Sequence, residues 1–536
     1  MLRQAGDSPW WRGGRSALTL PLAATLALLC TQALSGEPRF VDRAPELGIA
    51  HSYEGGWEHF GGGGVAVFDC DGDGLAELYA AGGANPATLL RNRSARGGGL
   101  RFAAETPDAL SITGVTGAYP LDIDGDGIDD LAILRVGADL ILKGDGACGF
   151  SPFVGLGFES GDRWTTAFSA TWEDGAALPS LAFGHYVDRA DPNGPFEACD
   201  DNALYRPEDD RYSAPIALTP GYCALSMLFT DWARTGRADL RVSNDRHYYI
   251  RDGAEQMWAM EGAPRLYGEA DGWRRQALWG MGIASRDLDG DGVAEVMLTS
   301  MGDQVLQYRD LAAQGPRYVD APYEAGATAH RPYMGEDGRP STGWHAEFGD
   351  VDNDGFDDLF IAKGNVDQMP SMALSDPNNL LMGTPEGRFV EAGAEAGVAS
   401  PARGRGGALH DLNLDGRLDM IVVNRRAPLE IYENMTERPG GFVALRLNAP
   451  APNTRAVGAH VELNIGDRTL TREVTVGGGH AGGASGWIHF GVGEAGAATL
   501  RVIWPSGAVS RAHEIRPNRH LTVAPGVDGA LSVRRF

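Results

Sequence analysis

A nine-residue pattern, D-x-[DN]-x-D-G-x-x-[DE], occurs five times in this chain, and each copy runs straight into an apolar stretch. The copies begin at Asp69, Asp122, Asp287, Asp350 and Asp411. Positions 1, 3, 5 and 9 offer side-chain oxygens: Asp69, Asp71, Asp73 and Glu77; Asp122, Asp124, Asp126 and Asp130; Asp287, Asp289, Asp291 and Glu295; Asp350, Asp352, Asp354 and Asp358; Asp411, Asn413, Asp415 and Asp419. Position 7 (Leu75, Ile128, Val293, Phe356 and Arg417) would add a backbone carbonyl. Ca2+ takes six to eight oxygens at roughly 2.3–2.6 Å, and glycine at position 6 permits the sharp turn that brings position 9 back. About five Ca2+ sites are therefore expected. An EF-hand starts the same way but requires a bidentate Glu at position 12. Here position 12 is Ala80, Ile133, Leu298, Ile361 or Val422, within runs such as Leu359-Phe-Ile-Ala that read as buried strands.

Asp-Gly clusters also favour plain turns. Like charges packed this closely repel, however, unless a cation sits among them.

Spacing turns the pattern into a ruler. The interval between Asp122 and Asp287 is about three times the others, and two eroded copies fill it. One starts at Asp231 and keeps Gly236 and Asp239; the other, near Trp172, retains only Asp174 and Ser180. Seven starts at 50- to 63-residue intervals, each with several short strands, predict an all-β, seven-bladed propeller. A second motif, Arg39-Phe-Val-Asp, Arg317-Tyr-Val-Asp and Arg388-Phe-Val-Glu, closes repeats. Its first copy precedes every loop, so residues 39–43 are expected to supply the outer strand missing from the seventh repeat, pairing an edge that otherwise invites aggregation. After about residue 440 the acidic loops stop and alternating strands mark a small C-terminal β domain (441–536), after the propeller of residues 36–440.

Residues 1–35 read as a secretory signal: arginines, an apolar run from Ala17 to Leu29, then Ala33-Leu-Ser35. The run is too short to span a membrane. Leu29 before Cys30 does not fit a lipoprotein anchor, where a small residue is expected. A secreted or periplasmic location follows, in which Cys70, Cys148, Cys199 and Cys223 can pair. Cys199 and Cys223 are the nearest pair, with connectivity open. The net charge is −26, and much of it sits in the loops. With no basic stripe to offset phosphate repulsion, the negative charge argues against nucleic acid or anionic membrane as partner, and no membrane span is expected.

The loops, with the lead-in Trp279-Gly-Met-Gly-Ile-Ala-Ser-Arg-Asp287, resemble the FG-GAP or VCBS repeats of integrin-type β-propellers. The tail, with Asn453, Gly458-Ala459, the Gly-rich Gly477–Gly486, His489-Phe-Gly-Val-Gly493 and Val502-Ile-Trp-Pro-Ser-Gly507, resembles the ASPIC/UnbV domain. Together they resemble a bacterial member of the cartilage acidic protein family. That resemblance implies an integrin-type propeller with calcium loops, no established catalytic activity and a role in extracellular recognition. The vertebrate EGF-like module is absent, so no function of that module carries over.

Two functions are open to such a scaffold. One is a calcium-stabilised recognition or adhesion module for an extracellular or periplasmic protein or glycan. Its binding surface is expected on the long segment from Asp188 to Tyr222 with the aromatics Tyr186, Phe196, Tyr205 and Tyr212. The other is a carbohydrate-active or metal-dependent enzyme using channel or loop-face residues, with His345, His410, His51 and His59 as candidate acid–base groups.

Overall fold

The computed structural model describes residues 36–536 except 174, 192–197, 246–251 and 336. Asp174 and Phe196 therefore lie outside the described residues. Strands dominate: among the described residues the α-helices are Ala44–Leu47 and Gly393–Ala396, four residues each. Among those residues no helix is long and apolar enough to cross a membrane.

Each acidic loop connects the first two strands of an antiparallel meander. The first meander is Val65–Phe68, Glu77–Ala80, Thr88–Asn92 and Phe102–Ala104. Six more follow the same plan, opening with Val115–Leu121, Arg163–Thr171, Ala224–Thr230, Gly280–Arg286, Gly343–Gly349 and Arg403–His410. The second and third run together where Arg163 and Trp164 pair with Gly137 and Val136. These first strands are almost wholly buried and pack each on the next, with Arg403–His410 closing the ring against Val65–Phe68. Near-continuous apolar runs such as VAVF suit a strand with protein on both sides.

The outer strands carry the repeated aromatic motif. Tyr318–Asp320 and Phe389–Glu391 are fourth strands of their meanders. Phe40–Asp42 completes the last sheet, with Phe40 opposite Asn434 and Asp42 opposite Tyr432. The N-terminal segment thus fills the place the spacing assigns to it.

The tail forms two four-stranded sheets around one apolar core that includes Val443, Val461, Leu463, Phe490 and Val523. One sheet runs Ile488–Gly493, Gly441–Leu447, Arg519–Pro525, Leu531–Arg535; the other runs Arg468–Glu473, His460–Ile465, Ala498–Ile503, His513–Ile515. Strands after Trp504 are additional to those the alternation predicts.

Between these sheets the segment Val476–Ser485 leaves the tail and threads the propeller channel. It bonds backbone to backbone with successive first strands: Ala170 N–H to Val476 O (3.1 Å), Gly478 N–H to Met227 O (2.6 Å), Gly479 N–H to Ile283 O (2.7 Å), Ala118 N–H to Ala481 O (3.2 Å) and Val67 N–H to Gly483 O (3.0 Å). So close an approach leaves no room for side chains. A Cβ at Gly64 or Gly117 would overlap the carbonyl of Ala481, and one at Gly482 would overlap Val65. Gly64→Ala is accordingly expected to cost about 3 kcal/mol, since neither backbone can retreat from a closed ring. The measurement is the shift in melting temperature against an exposed control without positive φ, such as Gly496→Ala.

Candidate metal centres

Each loop is folded by its own carboxylates. The position-1 aspartate accepts backbone N–H groups across the turn: Asp69 from Gly72 (2.8 Å) and Gly74 (2.9 Å), with the same pair of positions at Asp122 and Asp287, and positions 5 and 6 at Asp350 and Asp411. Position 5 accepts the N–H of position 7 in all five, as in Asp73 with Leu75 at 2.8 Å. Position 9 accepts the N–H of position 2, as in Asp130 with Ile123 at 3.0 Å. Its second oxygen braces the third strand in four loops: Glu77 to Asn92 N–H, Asp130 to Gly144, Asp358 to Gly383 and Asp419 to Asn434. The eroded loop at Asp231 keeps this skeleton, because Asp231 accepts from Thr235 and Gly236 and Asp239 accepts from Met260. Positions 1 and 9 thus shape the turn with or without an ion. Positions 3 and 5, lost at Ala233 and Thr235, are what a metal would add.

In four loops three acids converge with one oxygen each within 4.8 Å of the others: Asp69, Asp71 and Glu77; Asp122, Asp124 and Asp130; Asp287, Asp289 and Asp291; Asp350, Asp352 and Asp358. These groups could hold metal ions. The Asp411 loop forms no such group among the described residues. There the amide of Asn413 donates to Gly98 O (2.7 Å) and Asp415 is paired with Arg417.

Burial raises the proton affinity of these acids. It pushes Glu77 up to about 7, Asp130 to about 7, Glu295 to about 8 and Asp354 to about 7. Asp350 and Asp358, buried side by side with Asp352 and Asp354, are pushed well above the usual carboxylate range. The protein supplies partial counter-charge at some loops. Arg91 pairs with Asp71 at 2.5 Å, and Lys143 pairs with Asp124 and with Asp126. Among the described residues no ion pair reaches Asp287, Asp289, Asp291 or Glu295.

The tail sheets lie on this loop face. Arg446 Nη2 is 3.0 Å from Asp69 Oδ2, the Thr454 hydroxyl donates to Asp122, His520 Nε2 is 2.9 Å from Asp411 Oδ2, and His460 Nε2 is 3.7 Å from Asp231 Oδ2. Gly491 packs against Asp350 so tightly that a Cβ would overlap its carboxylate. Arg472 pairs with Asp357 at 2.9 Å. One tail residue therefore addresses the first aspartate of each of five loops, a role that nothing in the local sequence of these residues announces.

Residues 69–133 match the family model of the FG-GAP-like repeat. Residues 449–529 match the model of ASPIC and UnbV. The FG-GAP-like match spans the first two acidic loops, and the ASPIC and UnbV match contains the channel segment. Human cartilage acidic protein 1 is 43% identical over 61 residues, which is 11% of this chain and 9% of that protein. Among solved structures, BBS1N in complex with ARL6DN is 13% identical with a TM-score of 0.43, covering 74% of this chain and 97% of that one. The Dos1 propeller is 10% identical with a TM-score of 0.34, covering 74% and 97%. These likenesses concern the β-propeller outline alone.

The other sequence candidates divide. Tyr205 and Tyr212 are core residues, each 2% exposed, their rings 6.4 Å apart, so they offer nothing to a glycan. The segment that carries them supplies strands Asn202–Tyr205 and Ile216–Leu218 of the third meander. Its ends are fixed by Cys199–Cys223, and Cys70 pairs with Cys148. His345 and His410 line separate cavities of 220 and 170 Å³. His345 Nδ1 accepts the backbone N–H of His480 at 3.2 Å, while burial pushes His410 down to about 4. His51 is tied to Thr88 Oγ1 and Ala81 O, at 3.0 and 2.9 Å. His59 packs edge-on to Tyr53.

Proposed function

We propose that the chain is a cartilage acidic protein-like, calcium-braced, seven-bladed propeller that acts outside the cytoplasm as a recognition or adhesion module for a protein or glycan. In this reading residues 1–35 are a cleaved signal, 36–440 the propeller and 441–536 its cap. The observation that carries it is the set of buried, convergent carboxylates whose own counter-charges are too few: a hard divalent ion supplies the missing positive charge. Calcium would then be held by Asp69, Asp71, Asp73 and Glu77 and their equivalents in the other four loops, with position-7 carbonyls completing each shell. The ions are structural, since the cap covers their face, and recognition falls to the uncovered opposite face.

Calcium titration by calorimetry, with metal analysis of the dialysed protein, tests the first half. A stoichiometry near zero overturns it. A ranking is also expected. Lys143 competes with the ion at the second loop, so Lys143→Met should tighten calcium there by about tenfold, the factor for roughly 1.4 kcal/mol of relieved competition. Asp289→Asn, in a loop without an ion-paired cation, should remove one ion from the count. A glycan array and a pull-down with the calcium-loaded chain test the second half, and the absence of any retained partner in both counts against it.

A further inference from the structure

We propose that the cavity at the end of the channel remote from the acidic loops is a binding site for a compact, uncharged, ring-bearing apolar molecule. This goes beyond the preceding reading and does not depend on bound calcium. Trp164, Leu225, Met281 and Trp344 stand at or next to the starts of four first strands whose other ends lead into the loops. Trp344 is six residues from Asp350, so at about 3.3 Å per residue the two faces lie roughly 20 Å apart. The cavity measures 450 Å³, within the ~300–1,000 Å³ of small-molecule pockets.

Its walls select by shape and by charge. Trp57, Trp164 and Tyr186 stand edge to face, with centroids 4.8 and 4.7 Å apart. Met281, Met301 and Met369 supply soft, adaptable surface for a flat ring. The polar lining is Asp245, Asp367 and Gln368. Asp367 is paired with Arg426 at 2.9 Å and Arg403 at 3.5 Å, and Asp245 accepts the Tyr186 hydroxyl. Two guanidiniums lie against wall rings: Arg405 is 4.0 Å from the Trp344 centroid and Arg425 is 4.9 Å from that of Phe60. An incoming anion meets the two aspartates that line the cavity, and at Trp344 and Phe60 the cation–π position is already taken by a guanidinium. A sugar would bring a hydroxyl on nearly every ring carbon to three polar side chains, leaving most of them desolvated without partners. An uncharged apolar ring meets none of these costs. Trp57, Phe60 and Tyr186 are half-buried and Gln368 is exposed, so the mouth opens to solvent.

The test uses the mature chain and the uncharged dye N-phenyl-1-naphthylamine, read by energy transfer from tryptophan, in calcium and again in EGTA. Saturable one-to-one binding is expected in both, displaced by 2-naphthol and not by methyl glycosides. Met369→Glu, which places a charge at the mouth, should weaken binding at least tenfold with an unchanged melting temperature, and Trp57→Ala should weaken binding by a similar factor. Non-saturable binding, equal binding by both variants or displacement by a methyl glycoside alone overturns the proposal. So does protection of the site only by a bound protein partner, which would make it a slot for that partner's side chain. Loss of binding in EGTA with loss of the fold would fault the protein's stability without metal. Binding intact in EGTA with no calcium uptake would fault the calcium reading and leave the pocket standing.

Discussion

Stripped of metal with EGTA, the chain is expected to melt at lower temperature the higher the pH, and saturating calcium should abolish that slope. Glu77, Asp130 and Asp354 hold their protons to about 7 and Glu295 to about 8, and burial drives Asp350, Asp358 and Asp419 well above the usual range. In the unfolded chain the same groups lose theirs near pH 4. Between about pH 4 and pH 8 the folded state therefore binds more protons, and its stability falls as pH rises. Below that window both states are protonated and the acids cost nothing. Bound calcium would replace those protons with a divalent charge. A site at a hundred times its Kd contributes about 2.7 kcal/mol, so the five proposed sites would reach about 13.5 kcal/mol and a melting shift of about 10 °C or more near neutrality. Thermal scans at pH 5 and pH 8, with calcium and with EGTA, check this. A melting temperature that is independent of EGTA, or that rises with pH in its presence, contradicts a structural ion.

A propeller cut at residue 440 is expected to fail as a soluble folded protein. The channel segment accepts or donates main-chain bonds to the first strands near Val67, Ala118, Ala170, Met227 and Ile283. The glycines facing it, Gly64 and Gly117, have been left without side chains to admit it. Removing the tail leaves a slot lined by unpaired backbone groups, each costing about 1–3 kcal/mol where water cannot satisfy it. It also frees the first aspartates of the loops from Arg446, Thr454 and His520. Together these losses are on the order of 5–10 kcal/mol, comparable to the whole stability of a typical domain. Solubility and circular dichroism of residues 36–440 beside residues 36–536 decide it. A truncated protein melting within a few degrees of the intact one would make the channel segment a passenger.

The acidic loops were readable because every residue that shapes one lies within nine positions, so spacing encodes geometry directly. The same locality made Arg39–Asp42 legible as a closing strand, since its motif recurs where it ends other meanders. His345 and His410 stood out as candidate channel or loop-face groups, but what each touches is set by blades and by a tail segment that no short window contains. The Gly-rich Gly477–Gly486 entered only as part of the tail's family resemblance, because glycine has the same composition signal whether it confers freedom or admits a close neighbour. Tyr205 and Tyr212 looked available because Pro, Asp and Asn surround them, yet they fill the core of the third meander. The aromatic cavity was invisible for the same reason as the tail's contacts with the loops: Trp57, Trp164, Tyr186 and Trp344 are scattered over nearly three hundred positions and meet only when the ring closes.

That closure has a kinetic corollary. Arg39 N–H bonds Thr436 Oγ1 across 397 positions, and Gly62 N–H reaches His480 Nε2 across 418. Neither contact can form until most of the chain has been made and arranged, so the contact order is high and the last steps of folding are slow. The reverse route is obstructed by the same bonds, because no single blade can leave without withdrawing the axle or opening the terminal strand. A molecule closed in this way endures by the height of its unfolding barrier rather than by its equilibrium stability alone.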